Sequence, residues 1–93
     1  MKLNLGCGNT YLDDYINVDI RDVKCDVKCD ARKITFDAGT FDEVLASDII
    51  EHFVSDDAKI VIDEIWRVLR KDGEAIFRLP SLKGIFRAYM IVS

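Results

Sequence analysis

The stretch that decides the fold is Leu3-Asn4-Leu5-Gly6-Cys7-Gly8. A short apolar run ends in two glycines flanking a single residue. Glycine there lets the backbone turn sharply and approach a ligand with no Cβ in the way. Alone, Gly-x-Gly is a weak signal, because ordinary turns share it. Context strengthens it. Asp19 lies eleven positions after Gly8, at the end of a second alternating segment, Tyr15–Ile20. In doubly wound sheets ligands bind beyond the carboxyl ends of the strands, and an acid ending the second strand can accept both hydroxyls of a ribose. The plainer reading of Asp19 is a solvated turn residue.

Working outward, Lys2–Leu5 and Tyr15–Ile20 are predicted to be strands one and two. Val23-Lys24-Cys25-Asp26 followed by Val27-Lys28-Cys29-Asp30 alternates apolar and polar residues, which predicts a third, half-buried strand with Val23, Cys25, Val27 and Cys29 facing the core. Glu43–Ala46 follows the turn-like Asp37-Ala38-Gly39-Thr40, and Glu74–Leu79 ends at Pro80, which cannot donate to a ladder. The strongest helix is predicted over Asp56–Lys71. Ser55 suits its N-cap, and Asp56 and Asp57 suit its positive first turn. Ala58, Val61, Ile62, Ile65, Val68 and Leu69 form one apolar stripe, and Gly73 suits the stop. A shorter helix is expected over Asp48–Phe53. The apolar tail 82–93 is expected to be a helix that packs on the sheet or an interface, offering a homodimer contact.

The expected class is therefore α/β, with a mainly parallel, Rossmann-like sheet of about five strands and few helices. About ten residues separate strands one and two, fewer than a helical crossover normally needs. The first helix should shrink to about a turn, leaving part of one sheet face bare or covered by another chain.

Composition sets the outer limits. The chain has 93 residues, 49% hydrophobic and 32% charged, which fits one globular domain spanning residues 1–93 with a thin core. The formal net charge of −4 argues against tight binding to a phosphate backbone, so no nucleic-acid partner is expected. No run approaches the ~20 apolar residues that span a bilayer, so no membrane partner is expected either. Lys2 leads straight into a short strand, with no secretory pattern. The three cysteines do not make a disulfide framework. A cytoplasmic setting is expected.

Four segments, in order, resemble the motifs of class I SAM-dependent methyltransferases. Leu3-Asn4-Leu5-Gly6-Cys7-Gly8-Asn9 resembles the first motif and Ile16-Asn17-Val18-Asp19 the second. Phe41–Ser47 running into Glu51-His52-Phe53 resembles the fourth-strand region. Glu64–Gly73 resembles the helix and turn before strand five. The resemblance looks closest to small bacterial enzymes of glycan or cell-envelope synthesis. It implies S-adenosylmethionine as cofactor and methyl transfer to a small-molecule or glycan acceptor. It implies roles too. Backbone at Gly6, Cys7 and Gly8 would pass the methionine part, and Asp19 would bind the ribose. Asp30 would accept from the adenine amino group with the Ala31 backbone nearby, and Ser47 would lie near the transferred methyl. The chain departs from the pattern at Asn4, where an acid is common, at Thr10, where a third glycine is frequent, and at Lys71-Asp72, in place of Pro-Gly. With about five strands expected, it is expected to be truncated relative to the family's seven-stranded fold.

Other residues carry competing readings. His52 is the only histidine and so the only imidazole available as a catalytic base, although it can equally end a short helix and pack. Cys25-x-x-x-Cys29 with Cys7 is better read as core than as a metal site, because no fourth ligand is evident besides His52. Trp66, at helical spacing in an acidic chain, reads as packing. Two rival functions remain. One is a catalytically incomplete SAM-binding or interaction module. The other is a nicotinamide-binding fragment, disfavoured because Tyr11 stands where the last glycine of Gly-x-Gly-x-x-Gly belongs.

Overall fold

In a computed structural model the structure describes residues 1–46, 56–79 and 84–89. Six strands and one helix follow in order: β1 (Lys2–Leu5), β2 (Ile16–Asp19), β3 (Val27–Lys28), β4 (Phe41–Ala46), α1 (Ala58–Val68), β5 (Leu69–Leu79) and β6 (Gly84–Tyr89). They form one sheet with the order β3-β2-β1-β4-β5-β6. The first five strands are parallel, and β6 runs antiparallel to β5. The sequence reverses direction across the sheet after β3, so β1 and β4 lie side by side at the switch point where such folds bind ligands.

One face of the sheet carries the core. Leu3 and Leu5 pair in register with Ile16 and Val18 on one side and with Val44 and Ala46 on the other. Alternation sends these side chains to the same face, where Val61, Ile65 and Val68 of α1 meet them, fully buried. The β3–β4 connection adds Cys29, Ala31 and Ile34 to the same cluster, and Trp66 packs on its margin. Two side chains of α1 tie that connection down. Glu64 accepts the Ile34 amide at 2.8 Å, while Arg67 donates to the carbonyls of Ile34 and Phe36 at 2.6 and 2.9 Å.

The other face has a different composition. Asn17, Asn4, Leu45 and Ile76 form one row across β2, β1, β4 and β5, and Lys2, Glu43 and Glu74 form the next. The sequence pattern left this face bare or covered by another chain. Its middle is instead closed by the β1–β2 connection itself, which lies over two fully buried asparagines.

Several boundaries differ from the sequence expectation. α1 ends at Val68, not Lys71, because Leu69 is extended and buried, and pairs with Phe41. Residues 70–73 then stand opposite Asp42 alone before the ladder resumes at Glu43 and Glu74. Asp72 takes the left-handed conformation in this excursion, at φ 66°, so the turn there falls on Asp72 rather than Gly73. The N-terminal cap position is Asp57, with no side-chain cap bond; Ser55 lies outside the described residues. β3 is only two residues long. Arg21 folds back on Asp19 and bends the segment before it, leaving Val23 and Cys25 half-buried and unpaired in the ladder. The β1–β2 connection contains turns but no helix. The tail expectation is also corrected. Residues 84–89 form an antiparallel strand, not a helix, because the outer edge of β5 presents unpaired amides and carbonyls that a returning chain can satisfy. The helix expected over Asp48–Phe53 lies outside the described residues. No described helix is long and apolar enough to cross a membrane.

Candidate functional site

The glycine bend and the acid of β2 meet at the carboxyl edge of the sheet. Gly6 and Gly8 both adopt positive φ, 70° and 53°, a region that costs any residue with a Cβ about 1 kcal/mol or more. The amides of Gly6 and Cys7 both reach the Val18 carbonyl, at 2.9 and 3.1 Å, which pulls the bend over the end of β2. The amide of Gly8 then donates to Oδ2 of Asp19 at 2.8 Å. Residues separated by ten intervening positions thus form one joint, and the carboxylate expected to hold a ribose lies directly against the glycine bend.

Asp19 is 3% exposed. Burial alone would raise its pKa, but the guanidinium of Arg21, followed by the amides of Arg21 and Gly8, lowers it to about 2. The acid is therefore ionised throughout the neutral range. Cys7 shifts the opposite way. Burial, then the nearby negative charge of Asp19, pushes its thiol up, so it remains protonated and is no thiolate nucleophile. The Cys7 side chain is buried, with its sulfur 3.6 Å from the Lys24 carbonyl, so it presents no thiol to a ligand.

A network absent from the sequence reading supports this joint from behind. Asn4 Nδ2 donates to Oδ1 of Asn17 and to the Thr10 carbonyl, both at 2.8 Å. Asn17 Oδ1 also accepts the Leu12 amide, and Asn17 Nδ2 donates to the carbonyls of Leu12 and Tyr15. Asp26 accepts the Asn17 amide at 2.7 Å and the Tyr11 hydroxyl at 2.6 Å. The Tyr11 hydroxyl in turn holds the Asp26 carboxyl below its usual range, and Asp26 raises the phenol. Tyr15 donates to Glu43 on β4; burial first, then that bond, pushes its pKa up to about 12. The bend is held by side-chain hydrogen bonds where a helix would otherwise brace it. Asn4 and Asn17 fall on alternating strand positions that read as solvent-facing, so no periodicity could mark them as buried. Among the described residues, Oδ1 of Asn4 is a buried acceptor without a partner.

Asp30 follows β3, about a quarter exposed, and accepts from the amide and guanidinium of Arg32. It is near the joint, since the Cys29 amide bonds the Asp19 carbonyl at 2.9 Å. Ala31 is buried in the core cluster. Ser47 and His52 lie outside the described residues. Cys7, Cys25 and Cys29 are all free thiols, and no three His, Cys, Asp or Glu side chains among the described residues gather as a metal set.

A protein family described as "Methyltransferase domain" matches residues 3–77, from the strand before the glycine bend to β5. The chain belongs to this methyltransferase-domain family. A curated relative, tRNA (carboxymethyluridine(34)-5-O)-methyltransferase alkbh8 of Xenopus tropicalis, is 31% identical over 90% of this chain. A solved structure, the PH0226 protein of Pyrococcus horikoshii OT3, is 30% identical over 82% of the chain with a TM-score of 0.70. This chain spans 16% of the length of the first protein and 47% of that of the second.

Proposed function

We propose that this methyltransferase domain binds S-adenosylmethionine at the carboxyl edge of β1, β2 and β3 and directs its methyl group to a small-molecule or glycan acceptor. The observation that carries the reading is the Gly8 amide on the Asp19 carboxylate at 2.8 Å, which joins two motifs of the family in one place. The residues fit the group. Positive-φ glycines give a close main-chain approach, and a buried ionised acid can accept ribose hydroxyls. Asp30 and the Ala31 backbone would face the adenine. Ser47 is assigned to the methyl end and His52 to a base role by motif position.

When bound, the cofactor supplies an electrophilic methyl group on a sulfonium. The protein's own share is to fix the nucleoside, exclude water and hold the acceptor in line, which by proximity alone can supply a large part of the barrier reduction. The test is calorimetric titration with S-adenosylmethionine. Micromolar-range binding is expected, and Asp19→Ala should weaken it strongly. Equal affinity in the variant would remove the ribose assignment.

The relative's name offers tRNA as an acceptor class. The net charge of −4 favours an uncharged or small acceptor for this domain by itself, since each phosphate contact needs a cation. Labelled-methyl transfer to a glycan panel and to bulk tRNA, assayed side by side, distinguishes them. A second reading is a SAM-binding module without turnover. Turnover by the isolated 93-residue chain would exclude it.

A further inference from the structure

The two acids assigned to the nucleoside are held in the same way by the residue two positions on. At the end of β2, the Arg21 amide and Nε donate to Asp19 Oδ1 at 2.9 and 3.0 Å, and Nη2 donates to Oδ2 at 2.8 Å. After β3, the Arg32 amide and Nε donate to Asp30 Oδ1 at 2.9 and 3.1 Å, and Nη2 donates to Oδ2 at 2.7 Å. The sequence shows both as Asp-x-Arg, eleven positions apart.

The bonds on Asp19 exhaust its capacity. A carboxylate offers about four acceptor sites, and Asp19 uses two on each oxygen once Gly8 is added. A ribose diol therefore finds no lone pair to donate to unless a donor leaves. The Gly8 and Arg21 amides are fixed by the bend and the turn. The Arg21 side chain is 51% exposed, so its guanidinium is the donor that can be exchanged. Arg32 already has a second acid in reach, with Nη1 at 3.5 Å from Asp57 Oδ2.

We propose that Arg21 is a displaceable clamp that occupies the nucleoside site of the ligand-free chain, and that Arg32 acts likewise on Asp30. The proposal rests on the nucleoside reading above. The clamp keeps a buried carboxylate satisfied when no ligand is bound. A vicinal diol replaces both guanidinium bonds, whereas a lone hydroxyl replaces one, so the exchange selects ribose over deoxyribose. The cost is a lower apparent affinity, because only the unclamped fraction of the protein binds.

The experiment titrates adenosine and S-adenosylhomocysteine into the unmodified chain and into Arg21→Ala, Arg21→Gln and Asp19→Ala. Both Arg21 variants should bind about fivefold or more tightly, in proportion to the clamped fraction released. Raising salt from about 0.01 M to about 0.1 M, which shortens the Debye length from ~30 to ~10 Å, should tighten binding to the unmodified chain and change the variants little. Arg32→Ala should shift affinity less, because Asp30 is the more exposed acid. If the clamp stabilises the free chain, the Arg21 variants will also melt lower alone yet show a larger ligand-induced rise. Equal or weaker binding by both Arg21 variants, with Asp19→Ala still impaired, overturns the clamp alone. Absence of binding by the unmodified chain and by every variant overturns the nucleoside reading and the clamp with it.

Discussion

From β4 to β5 the sheet is braced by a helix: Val61, Ile65 and Val68 of α1 are fully buried against Phe41, Val44 and Ala75. From β1 to β3 no helix braces the connections, and two fully buried asparagines with Asp26 and Tyr11 do the bracing. The two regions belong to one sheet but are held by different physics. Apolar packing is non-directional and tolerates small shifts. A buried polar network is directional, and holds its shape only while each member keeps its partners. The glycine bend of the candidate site lies on the second kind of support, while Leu3, Leu5 and Val18 beneath it share the helix-packed core. That suits a loop whose amides must be aimed, and it makes the same loop sensitive to charge and pH.

Four changes test this contrast. The largest expected effect is in the helical region. Ile65→Ala should destabilise the chain by about 2–5 kcal/mol, enough to unfold much of so small a domain. A urea midpoint that hardly moves would show that α1 is not what holds the sheet. Next, Asn17→Ala strips partners from Asn4 Nδ2, the Leu12 amide and two carbonyls. It should cost about 2–3 kcal/mol, yet appear first as faster amide exchange at Leu12 and proteolysis between residues 9 and 15. Uniform exchange across both regions would erase the distinction between them.

The third change concerns pH. Asp19 has a folded pKa of about 2, below the usual carboxylate value. Its contribution is therefore present above the unfolded pKa near 4 and is lost as pH falls through about 2. The amount is at most ~2 kcal/mol, because Arg21 is half exposed and partly screened. Acid unfolding followed by circular dichroism should show this loss between about pH 4 and pH 2, and Asp19→Asn should flatten that slope. An unchanged slope would assign the acid sensitivity elsewhere. The smallest effect is at the excursion between α1 and the rest of β5. Asp72→Gly should relieve its φ of 66° and raise the melting temperature slightly, by up to ~1 kcal/mol of stability. Gly73→Ala should do the reverse, since its Cβ would lie 2.8 Å from the Arg70 carbonyl oxygen.

The site was partly legible before any fold was known. Gly6, Gly8 and Asp19 stood out because glycine pairs and strand-end acids have few reasons to occur after apolar runs. Their direct contact, through the Gly8 amide, follows from parallel pairing of β1 and β2. Arg21 and Asn17 did not stand out, and Asn4 did so only as a departure from the family's acid. Each looks like a surface residue by alternation, and its partner is chosen by how the connection folds over the sheet. The tail misled for a similar reason. Residues 84–89 are apolar enough for either a helix or a strand, and the open edge of β5 decided for the strand.

Patterns carried by neighbouring residues determined β1, β2, β4, most of β5, the amphipathic helix and the family resemblance, because period and turn chemistry are local properties. The tertiary structure alone decided which polar groups became buried, which arginine covers which acid, and what closes the second face of the sheet. Those outcomes depend on pairs such as Asn4 with Asn17 or Arg67 with Ile34, distant in sequence and brought to hydrogen-bond range only by the completed sheet.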